Sequence, residues 1–308
     1  MNLLLTTQCL SKCKFCFVPG QLKNKRNEMS FAEFKDYLDR INKIYKKNKP
    51  PVGLLGGEPT LAKDFALIIA HSKTYKGGIR LYSNLITERK NIEYMLGAKN
   101  MVLVWNVGSY IQAAAKNKSL ILKNLSIIKK DFGRNIIASI TLHHKFKKQD
   151  FAGIIKILKK YDIQNIRIAL DATRHKEFIT DGRQVYEFIK YLTELSFTVR
   201  TSYCGHFVKC MFDKQQEKYL KEHIENFNYN DCSVNYPIDI LPGGQVVPCM
   251  KFANRQSKLY LLNYTDLKKL KNDIKKKFKI NITPALCIKC KLKKNCGKLC
   301  TQLNENKK

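Results

Sequence analysis

The chain has 308 residues and carries 57 Lys or Arg against 25 Asp or Glu, a formal net charge of +32. Its length and 44% hydrophobic content allow one large and one small domain around a real core, which excludes a disordered chain. No apolar run reaches the length of a membrane span, and the N-terminus lacks the basic start and long apolar stretch of a secretory signal. The expectation is a cytoplasmic protein with no membrane partner.

In chain order, short β-branched runs alternate with longer amphipathic stretches. Strands are predicted over residues 2–7, 52–55, 79–83, 101–107, 135–142 and 166–170, with helices over 31–46, 61–73, 88–96, 111–129, 151–161 and 185–195. Ser30 is placed to cap the first helix, and Glu33 completes a capping box. Strand–helix units in series imply a parallel α/β sheet with right-handed crossovers, here a partial (β/α)6 TIM-like barrel. In such a barrel the functional groups project from the C-terminal ends of the strands. Cys9, Cys13 and Cys16 follow the first strand, Gly56-Gly57-Glu58-Pro59 the second and Ser83-Asn84 the third. Asn106 closes the fourth, Thr141 to His144 the fifth, and Asp171 follows the sixth. Beyond residue 199 the stretches become short, charged and rich in cysteine, so the barrel is assigned to residues 1–200 and a small Cys-rich domain to 201–308.

The eleven cysteines fall three in the first sixteen residues and eight from Cys204 onward, which in a reducing compartment favours metal over disulfides. Cys9, Cys13 and Cys16 form C-x3-C-x2-C, which would give a four-iron cluster three thiolates and leave one iron open to a ligand. A zinc site or three unrelated buried thiols are the alternatives. In Gly56-Gly57-Glu58-Pro59, the glycines would let the backbone approach a ligand and Glu58 would accept hydrogen bonds from an ammonium group. Downstream, Cys232, Gly244 and Cys249 read C-x11-G-x4-C, and Cys287, Cys290, Cys296 and Cys300 read C-x2-C-x5-C-x3-C. A zinc ribbon would use paired C-x2-C units but has no need of the glycine-spaced pair. His143-His144, Asp171 and Arg174 read as polar turn residues, and Trp105 as core. Ten of the 57 basic residues are arginine, the type that phosphate and base readers favour, so the charge allows a nucleic-acid partner without demanding one. The lysine run over 268–279 reads as a solvated helix face.

The cysteine frame, with Phe15 before its third cysteine, and the Gly56–Pro59 element after the next strand resemble the radical S-adenosylmethionine (SAM) superfamily. That resemblance implies a [4Fe–4S] cluster on Cys9, Cys13 and Cys16, whose open iron chelates SAM and reductively cleaves it to a 5′-deoxyadenosyl radical. It implies SAM contacts from Phe15, Gly56, Gly57, Glu58, Pro59, Ser83, Asn84, Thr141 and Ile168. The C-terminal cysteines resemble the SPASM domain, which adds auxiliary [4Fe–4S] clusters to enzymes that modify peptides. That pattern ends in a seventh cysteine, which this chain lacks, so Cys204 and Cys210 are expected to lend ligands. Three, four and four ligands would use all eleven cysteines, and a single auxiliary cluster with Cys204 as hydrogen-atom donor is the alternative. Met250 follows Cys249 where sulfatase-maturing relatives carry an aspartate, which argues against that role. The implied activity is hydrogen abstraction from a ribosomally made peptide or protein, with a flavodoxin- or ferredoxin-type electron donor. The chain begins at the cluster strand, with no room for a leader-recognition domain, so a peptide substrate is expected to be recognised by this core or by a separate partner. RNA or a small-molecule precursor as substrate, or a non-catalytic iron–sulfur or zinc scaffold, are the rival readings.

Overall fold

The computed structural model describes residues 1–16, 27–144, 146–171, 181–202, 207–225, 227, 229, 236–253 and 257–278. It divides into two compact units, Met1–Ile136 with Pro237–Lys279, and Ile137–Tyr236 with Ile280–Lys308. The segment from Pro237 belongs with the N-terminal strands, because two short strands within it extend their sheet.

In the first unit, β1 (Asn2–Leu4), β2 (Val52–Leu55), β3 (Ile79–Ser83) and β4 (Met101–Asn106) pair in parallel, in that order. On the other side of β1 lies β9 (Asp239–Ile240), parallel to it, and β10 (Val246–Val247) runs antiparallel to β9. β1 is shorter than expected. After Leu5 donates to the Leu55 carbonyl, Thr6 leaves the ladder for an antiparallel bridge with Glu28. α1 (Phe31–Tyr45), α2 (Phe65–Ser72), α3 (Arg89–Met95), α4 (Val107–Gln112) and α5 (Ala115–Phe132) follow or join these strands. The capping box at Ser30 and Glu33 forms as expected, and α1 buries Phe34, Tyr37, Leu38, Ile41 and Ile44 along one stripe. Residues 111–129, expected as one helix, are two, with the break at residues 113–114.

In the second unit, β5 (Ile136–Leu142), β6 (Asn165–Leu170), β7 (Thr198–Thr201) and β8 (Ile224–Glu225) are parallel neighbours. The sixth strand is thus not the last parallel one. β7 was hidden because Thr-Val-Arg-Thr offers one apolar residue to the period-2 pattern. α6 (Ala152–Lys160), α7 (Gly182–Glu194) and α8 (Lys214–His223) lie between these strands in sequence. Alternation divides β5 and β6 cleanly: Ala138, Ile140, Leu142, Ile166, Ile168 and Leu170 are buried on one face, and Ser139, Thr141 and Arg167 share the other.

α9 (Leu267–Phe278) closes the described chain and buries Leu270, Ile274 and Phe278, leaving Lys268, Lys269, Lys276 and Lys277 exposed. The lysine run is therefore a solvated face over most of its length. Among the described residues no helix is long and apolar enough to cross a membrane.

Candidate functional site

The first unit builds its strand-end chemistry from three adjoining segments. The segment after β1 carries the cysteine frame. Gly57 N donates to the Thr6 carbonyl at 2.8 Å and Glu58 N to the Gln8 carbonyl at 2.6 Å, so the turn after β2 is laced to the residues leading into Cys9. The two glycines owe their presence to this lacing. A Cβ on Gly56 would lie 2.5 Å from the Thr6 carbonyl oxygen, and one on Gly57 would collide with the Gln8 carbonyl. The close approach that glycine permits is to the cysteine-bearing backbone of the chain itself.

Glu58 is wholly buried, and its carboxylate accepts four hydrogen bonds. Thr60 gives two, from Oγ1 at 2.9 Å and from its N–H at 3.3 Å, Ser83 Oγ gives one at 2.9 Å, and Asn84 N one at 2.7 Å. Burial pushes its pKa up, and the bonds from Asn84, Ser83 and Thr60 work against that rise. The carboxylate therefore ties the ends of β2 and β3 together. Pro59, buried at the start of the turn Pro59–Leu61, fixes the backbone angle that turns the chain away.

Asn84, also buried, continues this network to the cysteines. Its Nδ2 donates to Cys9 Sγ at 3.5 Å and to Ser11 Oγ at 3.1 Å. Ser11 N donates to the same sulfur at 3.3 Å. Loss of hydration around the sulfur pushes the Cys9 thiol up, with the charges of Glu58 and Cys16 adding to it, although the residue as a whole is exposed.

α4 supplies a support that sequence reasoning missed. Lys14 N donates to Gln112 Oε1 at 3.1 Å, and the Phe15 ring lies directly on Gly108, where any Cβ would overlap it. Asn106 caps this helix by accepting from Gly108 N at 3.2 Å, and Ser109 Oγ donates to the Asn106 carbonyl at 2.6 Å. Asn followed by Gly-Ser at a strand end is a readable cap signal, but nothing in the spacing ties Gly108 or Gln112 to residues almost a hundred positions earlier.

Phe15, Gly56, Gly57, Glu58, Pro59, Ser83 and Asn84 thus stand around the cysteine segment of one unit. Thr141 and Ile168 belong to the second unit, on β5 and β6. Thr141 is half-buried, but Ile168 is wholly buried and faces away from Thr141, so its side chain is core. In the same unit His144 Nδ1 meets Asp181 Oδ2 at 2.8 Å, so His144 is held at a strand end instead of lying loose in a turn. Trp105 is core, as expected.

Among the described residues no three His, Cys, Asp or Glu side chains converge closely enough to hold a metal ion. The donor set still fits an iron–sulfur cluster: three thiols within eight residues, one of them already accepting N–H bonds as a metal-bound thiolate does. Cys249 is half-buried beside the turn Met250–Phe252 of the first unit, and Cys210 is exposed in the second. Cys204, Cys232, Cys287, Cys290, Cys296 and Cys300, with Arg174, lie outside the described residues.

A model of the radical SAM superfamily matches residues 3–158. PqqA peptide cyclase of Xanthomonas oryzae pv. oryzae is 36% identical over 88 residues, 27% of this chain and 20% of that protein. GTP 3',8-cyclase of Haemophilus influenzae is 35% identical over 80 residues, 26% of this chain and 23% of that protein. The matched stretch thus spans less than a quarter of either relative. Among solved structures, Streptococcus suis SuiB bound to its precursor peptide SuiA has the same fold, with a TM-score of 0.67 at 17% identity over 96% of this chain and 69% of that one. Histidine-tagged anSMEcpe with bound AdoMet has a TM-score of 0.65 at 15% identity over 96% of this chain and 88% of that one.

Proposed function

The chain belongs to the radical SAM superfamily, and from that premise we propose that it cleaves SAM reductively and abstracts hydrogen from a ribosomally made peptide or protein. The observation that carries this reading is the lacing of the cysteine segment to Gly56, Gly57 and Glu58, which joins the two motifs into one body. Cys9, Cys13 and Cys16 would hold the cluster. When bound, the cluster supplies the electron that cleaves SAM, giving a 5′-deoxyadenosyl radical able to take hydrogen from a substrate.

The chain's own residues have distinct parts. Phe15, seated on Gly108, offers an aromatic face beside the cysteines for the adenine. The Gly56-Gly57 backbone lines the turn where the SAM amino group is read. Glu58, with four internal donors, serves by holding that turn, not by presenting its carboxylate. Ser83 Oγ is likewise engaged, donating to Glu58 and accepting from Leu85 N at 3.0 Å. Thr141 and Ile168 are kept as nucleoside contacts on the resemblance to the family alone.

A peptide substrate is supported by the kinds of protein with similar sequence or fold, among them a peptide cyclase and SuiB with its precursor peptide. Two SPASM-like auxiliary clusters drawn from the eight C-terminal cysteines, a domain boundary near residue 200, a cytoplasmic location, a flavodoxin- or ferredoxin-type donor and a separate delivery partner complete the reading. A small-molecule or RNA substrate is the second reading, favoured by the similarity to GTP 3',8-cyclase and by the basic charge.

The test is anaerobic iron and sulfide reconstitution, then dithionite reduction with SAM and a candidate peptide, quantifying iron and 5′-deoxyadenosine together. Deoxyadenosine that disappears in Cys13→Ala supports the reading. A fully iron-loaded protein that makes none, with or without peptide, refutes it. RNA binding that weakens steeply with salt would move the substrate to the second reading.

A further inference from the structure

Asn84 lies outside the cysteine frame, yet its side chain is spent on it. Nδ2 donates to Cys9 Sγ at 3.5 Å and Ser11 Oγ at 3.1 Å, and Oδ1 accepts from Ile86 N at 2.7 Å. The Ile86 N–H requires an oxygen opposite it, which sets the amide orientation and turns the NH2 group to the sulfur. The backbone is held as well. Asn84 N donates to Glu58 Oε2 at 2.7 Å, and the Asn84 carbonyl accepts from Ser109 Oγ at 3.3 Å.

The turn that aims this side chain carries strain. Leu85, between Asn84 and Ile86, has φ +61°, a left-handed conformation that is strained for a residue other than glycine. Ser83 Oγ accepts from Leu85 N at 3.0 Å and Asn124 Nδ2 donates to its carbonyl at 3.0 Å, so the strained peptide is held from both sides. Such strain persists where the surroundings over-determine a conformation. Here that conformation delivers an amide N–H to a sulfur.

We propose that Asn84 is a positioning residue that donates a hydrogen bond to the Cys9 thiolate and thereby raises the reduction potential of the cluster bound there. An N–H bond withdraws charge from a ligating sulfur and favours the reduced, more negative cluster. The inference rests on the reading of Cys9 as an iron ligand, and it gives Asn84 a part other than contact with SAM.

The experiment uses the full chain, reconstituted without SAM, with iron content measured first. Protein labelled with 15N-asparagine and reduced with dithionite is examined by pulsed electron paramagnetic resonance, and midpoint potentials are measured by redox titration. The wild type is expected to show a 15N coupling to a reduced cluster. Asn84→Ala is expected to keep its iron, lose that coupling and titrate at a lower potential. Asn84→Asp keeps the oxygen that caps Ile86 and removes the nitrogen, so it serves if the alanine variant does not fold. A wild type that takes up no iron overturns the reading of Cys9. A loaded wild type without the coupling, or a loaded Asn84→Ala with unchanged potential, overturns the role of Asn84 alone.

Discussion

In the first unit the polar residues that follow β2 and β3 turn inward. Glu58, Thr60, Ser83 and Asn84 are all buried, and their side chains bond one another, the cysteine segment and the backbone N–H groups of Leu85 and Ile86. In the second unit Ser139, Asp171 and Ser202 are buried too, but Arg167, Thr141, His144 and Asp181 keep part of their surface. Arg167 Nη1 donates to Ser139 Oγ at 3.2 Å and its Nη2 donates to Ser202 Oγ, while His144 meets Asp181 with side chains 17% and 12% exposed. The difference is one of replaceability. Water can reach a half-buried guanidinium or imidazole partner and stand in for it, but it cannot reach donors sealed around Glu58.

That contrast is testable in order of expected effect. Glu58→Ala should cost about 3 kcal/mol in chemical denaturation, because it strands the Thr60, Ser83 and Asn84 donors, whereas Arg167→Met should cost about 1 kcal/mol. Equal losses would break the comparison. A second buried carboxylate of the first unit, Asp239, sharpens it through pH. Burial pushes Asp239 up from 3.8 to about 6, opposed by hydrogen bonds from Asn2 and Met250. The folded chain then holds this proton more tightly than the unfolded chain, so stability should fall as pH rises from 3.8 to about 6. Asp239→Asn should abolish that fall and gain about 2–3 kcal/mol at pH 7, read from thermal melts across pH. If its pH profile matched the wild type, Asp239 would not titrate as described.

Smaller effects come from the glycines and the histidine. Gly57→Ala should cost about 2 kcal/mol, since the Gln8 carbonyl must move, and should reduce iron uptake with it. Gly153, on α6 with open space where a Cβ would stand, should instead gain about 0.5–1 kcal/mol on substitution by alanine. His144→Gln should cost about 1 kcal/mol, because it removes one hydrogen bond from a pair whose side chains are 17% and 12% exposed. A loss as large as that of Gly57→Ala would mean that the second unit is as tightly locked as the first.

The strands β2 to β6 and the polar residues at their ends were legible, because apolar periodicity is a local signal and chain order places each loop after its strand. The capping box at Ser30 and the solvated lysines of α9 were legible for the same reason. β9 was not. Its two residues pair with β1 across more than two hundred positions, and Asp239-Ile240 carries no strand signal of its own. Gly56 and Gly57 stand out in the sequence, but their spacing announces a close approach without saying to what, and the approach is to Thr6 and Gln8. Glu58, likewise, is marked by its motif as chemically important, while two of its donors, Ser83 and Asn84, come from the end of β3, which the motif does not contain.

By itself, then, the sequence determined the α/β class, the order of the strand-end motifs and the cysteine frame, all of which depend on residue type and near-neighbour spacing. Only the tertiary structure decided that Glu58 is buried on Ser83 and Asn84, that Asn84 reaches Cys9, and that Phe15 rests on Gly108. Those contacts join residues brought together by sheet pairing, and each is set by the geometry of a hydrogen bond or the absence of a single Cβ, which no residue carries in its own identity.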